Sequence, residues 1–506
     1  MSDFLIEDKY YKLSEIYRCI QKNKSIVLSD ESRKKVDSSR KSLLNAIGSG
    51  QTIYGVNTGF GKLSQIKINQ DKLELLQTNL IISHSTGVGE LTPNRIVKLM
   101  ILLKIISLGR GYSGIRLKLI NQMLQHYNAG SIPIVPSQGS VGASGDLAPL
   151  SHMSLPLIGL GKVKYKSSII TSKELLNKLN LKPIALSYKE GLALINGTQF
   201  STAYGIETIT RLKKLSKIAD IAGAITVEGL MGTDKAFLKK VHDLKLHKGQ
   251  KQSAKNLYNL LNDSEIKTSH KDCERVQDMY SLRCIPQVHG ACRDSIESAE
   301  NMIERELNSV SDNPLIFNDG EVVSAGNFHA ESCAMAMDIA AIATAEFGSI
   351  SERRIFALTK GDFGLPPFLI YEPGINSGIM MWQVTAASLV SENKGLCHPA
   401  SIDNIPTGAD QEDHVSMAPW SGRKLFKMLD NLEYILAIEI YCACLAIDFR
   451  KGLKAGKGVD IAFKLVRENV DTIIKDKLIG DDIQTIIKLI KNDQLLNKVE
   501  NKIEIN

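Results

Sequence analysis

The chain has 506 residues, 43% of them hydrophobic and 23% charged, and its 62 basic against 55 acidic side chains leave a formal net charge of +7. So slight a bias excludes a protein built around a basic nucleic-acid surface; lysine-rich stretches such as Lys239-Lys240 and 248–255 read as solvated helix faces. It suits, weakly, the attraction of a small carboxylate substrate. In chain order, the N-terminal run Met1-Ser2-Asp3-Phe4-Leu5-Ile6-Glu7-Asp8-Lys9 lacks the basic-then-apolar layout of a signal peptide. Residues 1–200 mix helices with glycine-rich loops. From 201 to 506 the pattern is one of long helices. In 292–310, Cys292, Ile296, Ala299, Ile303, Leu307 and Val310 step by three or four and predict one amphipathic stripe. Two stretches, 333–347 and 432–449, are apolar nearly all round, broken by Asp338, Glu433 and Glu439. They predict helices buried in a large bundle and no membrane span, because neither reaches about 18 apolar residues free of charge.

Length alone suggests about three domains, yet no Pro/Gly/Ser-rich spacer, low-complexity tract or repeat interrupts the chain. A single, mainly α subunit over 1–506 is expected. Helices that are apolar on every face need neighbours on every side, which favours an oligomer. Eight cysteines (19, 273, 284, 292, 333, 397, 442, 444) have neither zinc spacing nor the density of a disulfide scaffold. A reduced, cytoplasmic protein is expected.

The run Gly139-Ser140-Val141-Gly142-Ala143-Ser144-Gly145-Asp146-Leu147-Ala148-Pro149 carries the chemistry. No lysine follows its glycines, so it is not a phosphate-cradling loop. If the backbone bends tightly, the amide nitrogen of Gly145 can attack the carbonyl carbon of Ala143. Loss of water, including the Ser144 hydroxyl, then leaves an imidazolone ring with an exocyclic methylene. Gly145 leaves its nitrogen unobstructed, Ala143 is small, and Ser144 brings a hydroxyl that can be eliminated. The product is an electrophile, which no ordinary side chain provides.

This run resembles the signature of the histidine/phenylalanine ammonia-lyase family, whose members form a 4-methylideneimidazol-5-one (MIO) group autocatalytically. Similar family motifs follow in order: Tyr54-Gly55-Val56-Asn57-Thr58-Gly59-Phe60-Gly61, Asn196-Gly197-Thr198-Gln199, Gln277-Asp278-Met279-Tyr280-Ser281-Leu282-Arg283, Ser311-Asp312-Asn313-Pro314, Gly326-Asn327-Phe328-His329 and Gln411-Glu412-Asp413-His414-Val415-Ser416-Met417. The resemblance implies a fumarase/aspartase-like helical bundle, a homotetramer with active sites built from three chains, and no external cofactor. It implies Tyr54, on a mobile glycine-flanked lid, as the base that takes the β-proton. Arg283 would hold the substrate carboxylate through its planar fork. Asn196, Tyr280 and Asn313 would hold the ring oxygen or the substrate's polar end, and Phe328 would lie beside the ring. Asp146 would assist cyclisation or act simply as a first-turn carboxylate. Gln411 and Glu412 would face the substrate, Glu412 sharing in proton handling. The Glu412–His414 cluster resembles a metal site, but no His-Glu-x-x-His occurs and no metal is expected.

Substrate choice follows the resemblance too. Ser83-His84 stands where phenylalanine enzymes carry Phe-Leu and tyrosine enzymes His-Leu, and Met380 and Glu412 match the histidine class. These imply elimination of ammonia from L-histidine to trans-urocanate, the first step of histidine degradation, with His84 and Glu412 partnering the imidazole. The alternatives are a tyrosine/phenylalanine ammonia-lyase, an MIO aminomutase, or a silent scaffold; the intact Ala143-Ser144-Gly145, Tyr54 and Arg283 oppose the last. Gly408-Ala409-Asp410, Trp382 and Ser137-Gln138 depart from the usual histidine pattern.

Overall fold

The structure, a computed structural model, describes residues 3–271, 273 and 275–506. It is mainly helical, and among the described residues the strands pair in two- and three-stranded ribbons. The chain forms two compact units, each assembled from three stretches. The first takes in Met1–Glu207, Glu300–Asp338 and Pro399–Arg423; the second Thr208–Ala299, Ile339–His398 and Lys424–Asn506.

In the first unit, the helix Asn94–Gly109 begins after Pro93, which cannot continue a helix backwards, and ends at glycine. Its apolar run is buried on almost every face, and with it the interrupting Lys104. The helices Asp30–Gly48, Leu117–Asn128 and Leu147–Ser154 pack against it, and Leu73–His84 and Glu190–Ile195 pack in turn on Leu147–Ser154. A short antiparallel ribbon pairs Val88–Leu91 with Pro136–Gln138. This ribbon delivers the chain into the 139–145 turn.

The predicted 292–310 stripe lies on the helix Ile285–Leu307, where Cys292, Ile296, Ala299, Ile303 and Leu307 are all buried. Val310 falls beyond the helix end. The stretch 333–347 falls within the helix Glu331–Thr359, and 432–449 within Ala418–Asp448 except for Phe449, just past its end. Partners explain the acids inside them. Glu439 and Arg354 are both fully buried and paired, and Thr226 and Ser351 also donate to that carboxylate. Removing one partner of such a pair strands a buried charge and costs about 3–5 kcal/mol. Glu433 accepts from Arg211 at 2.9 Å. In the first unit, Asp338 accepts from the Ser401 amide at 2.8 Å and the Ser421 hydroxyl at 3.1 Å. Among the described residues one helix, Glu331–Thr359, is long and apolar enough to cross a membrane, and 72% of its apolar window is buried inside the protein. All eight cysteines are unpaired. Burial pushes the Cys442 thiol up, and the Cys444 thiol up to about 12, as expected of packing groups and not of a redox pair.

Candidate active site

The turn at 142–145 is held in a shape only glycine permits at its ends, with φ of +69° at Gly142 and +81° at Gly145. A Cβ on Gly145 would stand 2.5 Å from the Gly197 nitrogen and oxygen, and one on Gly142 would stand 2.4 Å from Ser416 Oγ. Backbone at Gly197 and side chains at Ser416 and Pro419 therefore press on the two ends of the turn. The Ser140 hydroxyl spans the turn, accepting from the Gly142 amide at 3.1 Å and donating to the Gly145 carbonyl at 3.4 Å. Ala143 packs below on Ala400, Val415 and Met417. The Ser416 hydroxyl donates to the Gly142 carbonyl at 3.0 Å, and the Met417 amide to Val141 at 2.8 Å.

Ser144 is half-buried, and its hydroxyl, the group to be eliminated, donates to Glu412 Oε1 at 2.5 Å. Thr407 secures the other carboxylate oxygen at 2.6 Å, and paired backbone bonds between residues 407 and 412 close the loop. Three successive left-handed residues, Gly408, Ala409 and Asp410, turn that loop tightly enough to aim Glu412 at Ser144. The departure seen in the sequence at 408–410 is thus the hinge of this carboxylate. Gln411 lies exposed on the same loop.

Asn196 follows the helix Glu190–Ile195 and is 3% exposed. Its Nδ2 donates to the Ser144 carbonyl at 3.3 Å, while its buried Oδ1 has no partner. Lys104 explains its position. That fully buried ammonium donates to the Asn196 carbonyl at 2.6 Å and the Ala193 carbonyl at 3.1 Å, so a cation neutralises the helix C-terminus. Burial pushes Lys104 down to about 7. The lysine had a signal in the sequence, a charge inside Leu-Leu-Lys-Ile-Ile, but nothing there named its partners.

Asp146 opens the helix Leu147–Ser154 but does not cap it. Its carboxylate reaches Ser201 instead, accepting from the amide at 2.8 Å and the hydroxyl at 2.9 Å, at the start of the helix Gln199–Gly229. The Asp146 amide donates to the Gly197 carbonyl at 2.7 Å. Despite those bonds, burial raises Asp146 to about 6, a carboxyl able to hold or release a proton near neutrality.

Tyr54 lies on a loop pinned to the helices Leu73–His84 and Glu190–Ile195. Gln77 donates to the Gly55 carbonyl at 3.0 Å and accepts from the Leu192 amide at 3.1 Å. The Tyr54 hydroxyl accepts from the Gly61 amide at 3.1 Å, and its ring meets Phe60 edge-on. His84 ends the helix Leu73–His84. Its Nδ1 lies 2.9 Å from the Leu80 carbonyl, which places the proton there and leaves Nε2 as an acceptor. Burial lowers the His84 pKa, partly opposed by the attraction of Glu412. Asn313 is committed: its Oδ1 accepts from the Ala325 amide at 2.8 Å. Phe328 is half-buried just before Glu331–Thr359.

Tyr280, Arg283 and Met380 belong to the second unit. Tyr280 is 71% exposed, with the Arg283 guanidinium 4.6 Å from its ring centroid. Arg283 Nε is buried without a partner. Met380 opens the helix Met380–Leu396 and is exposed.

A profile of the family described as aromatic amino acid lyase matches residues 11–468. The chain is 45% identical to the histidine ammonia-lyase of Natranaerobius thermophilus over 495 residues, 97% of each chain. The crystal structure of histidine ammonia-lyase from Trypanosoma cruzi superposes with a TM-score of 0.90 at 40% identity, covering 98% of this chain and 95% of that one. Tyrosine aminomutase from Streptomyces globisporus superposes at 0.94 with 32% identity, covering all of both chains. The chain belongs to the aromatic amino acid lyase family.

Proposed function

We propose that this member of the aromatic amino acid lyase family is a histidine ammonia-lyase, a carbon–nitrogen lyase that converts L-histidine to trans-urocanate and ammonia. The observation that carries the reading is the polar pair His84 and Glu412 at the Ala143-Ser144-Gly145 turn. An imidazole offers one N–H and one lone pair, and His84 Nε2 and the Glu412 carboxyl are of the types that can match them. A phenyl or phenol ring would strand these groups.

The residues around the turn fit an MIO group formed from Ala143, Ser144 and Gly145. Glycine is required where a Cβ would collide with Gly197, the Ser144 hydroxyl is already held by a carboxylate, and Asn196 Nδ2 donates to the Ser144 carbonyl, whose oxygen the ring would keep. That group supplies the electrophile that activates the amine as a leaving group. Asp146 and Glu412 serve the cyclisation, Asp146 by fixing the Gly145 side of the turn and Glu412 by holding the departing hydroxyl. Tyr54 takes the β-proton, Glu412 shares in proton handling, and Arg283 binds the substrate carboxylate as a bidentate fork. Tyr280, Asn196, Asn313, Phe328, Met380 and Gln411 complete the substrate surroundings.

The protein works as a homotetramer. Val276 and Tyr280, 93% and 71% exposed, leave this segment open to another chain, as do Met335, Ile342 and Phe356 along one helix. The unpaired cysteines suit the cytoplasm. Ammonia release from L-histidine, L-tyrosine and L-phenylalanine tests the reading. Histidine should lead by several orders of magnitude, about 10⁴ where buried polar groups are stranded. Preference for tyrosine or phenylalanine, or a β-amino acid product, would replace it with the alternative lyase or aminomutase.

A further inference from the structure

His329, Glu331 and His414 meet although 85 residues separate the histidines, and one donor atom from each lies within 4.8 Å of the others. We propose that they form a binding site for a divalent transition-metal ion of the zinc class, independent of the lyase reading. The sequence excluded a metal because no histidine pair had helical ligand spacing. The fold makes the pair instead, from a turn and a loop.

Three features point to a cation. The imidazoles of His329 and His414 stack at 5.8 Å with planes 6° apart, which brings their ring nitrogens to one place. His329 Nε2 lies 3.3 Å from the His414 carbonyl, so its proton points there and Nδ1 keeps a lone pair. A ligating histidine is commonly oriented by such a bond from its other nitrogen. Glu331 opens the helix Glu331–Thr359. Its Oε2 is buried with no hydrogen-bond partner, a costly state for a carboxylate unless a cation takes it.

The donor set selects the ion. Two imidazoles and one carboxylate suit Zn²⁺, Co²⁺ or Ni²⁺; Mg²⁺ and Ca²⁺ want more oxygen ligands. Bonds of about 2.0–2.1 Å at tetrahedral angles need donors about 3.4 Å apart, so the three must close by roughly 1.4 Å at most. His414 is exposed and can turn to do so. Three protein ligands leave a coordination position for water or another small donor.

The test is titration of the chelator-stripped full chain, without substrate, with Zn²⁺ by calorimetry and with Co²⁺ by visible absorption. One ion per chain is expected, with a Co²⁺ spectrum of nitrogen and oxygen ligands. His414→Ala, on an exposed loop, and Glu331→Gln should each weaken binding by at least about 10-fold. Cys273→Ser and Cys397→Ser, at two thiols that are not buried, should leave it unchanged. Circular dichroism confirms that each variant is folded. Absence of saturable binding, a thiolate charge-transfer band, or unchanged affinity in folded His414→Ala would overturn the site.

Discussion

Replacing Gly197 by alanine tests whether backbone pressure, and not the tripeptide alone, drives ring formation. Gly197 has φ +124°, where an L side chain is strained by about 1–3 kcal/mol. Its new Cβ would stand 2.4 Å from the Ser311 carbonyl oxygen and 2.6 Å from Gln199 Oε1. Gln199 cannot simply swing away, since its Nε2 donates to Ser311 Oγ at 2.9 Å. Overpacking of this kind adds about 1–3 kcal/mol. The total, about 2–6 kcal/mol, is a large part of a typical stability of about 5–15 kcal/mol but need not exceed it. Relief requires residue 197 to retreat by about 1 Å, from 2.4 Å to ordinary contact at 3.4 Å. That retreat disturbs the Asp146–Gly197 bond and the surface behind Gly145. A displacement of about 1 Å costs a reaction of this kind on the order of 10²-fold in rate. Intact-mass spectrometry at intervals after synthesis reads the outcome directly, because two lost waters remove about 36 Da. The variant should accumulate this deficit about 100 times more slowly while melting as a folded protein. A full deficit with wild-type kcat would refute the reasoning.

Ser144→Ala should keep the unmodified mass and lose most activity while still melting as a folded protein, because only the electrophile is missing. Tyr54→Phe should keep the mass deficit but lower kcat by about 10² or more; wild-type kcat would move the base elsewhere, with Glu412 next. His84→Leu should weaken histidine turnover and narrow its lead over phenylalanine in steady-state assays. Lys104 binds fewer protons folded than unfolded between about pH 7 and its ordinary 10.5, so its contribution makes stability rise with pH across that window, by at most about 1.4 kcal/mol per unit. Lys104→Met should flatten the slope in urea melts between pH 7 and 10; an unchanged slope would deny the buried lysine this role.

Much of the candidate site was legible because its chemistry sits in contiguous runs: the tripeptide, the Tyr54 loop, Ser83-His84 and the Glu412 loop each announce their residue types locally. Periodicity likewise marked the buried faces of Ile285–Leu307. What stayed hidden was partnership across long stretches of chain. Asp146 reads as the first-turn acid of its own helix, yet it caps the one beginning at Gln199. Glu439 and Asp338 look like interruptions of apolar runs until Arg354, Ser401 and Ser421 arrive. Lys104 reads as an oddity in a greasy helix, and His329 and His414 as unrelated residues. A one-dimensional pattern gives the face a side chain occupies; it does not say which distant residue fills the space opposite.

The bonds from Asp146 to Ser201 and Gly197 have a consequence for the life of each molecule. The turn cannot take its reactive shape until residues 197–201 have been made and packed, long after the tripeptide itself is synthesised. Ring closure is irreversible under ordinary conditions and leaves a permanent change of mass. Every chain carrying it has therefore visited the folded state at least once, even if it is later found unfolded or aggregated. The mass of a chain is in this sense a memory of its folding, and the ringed fraction of an insoluble deposit counts those chains that folded before they were lost.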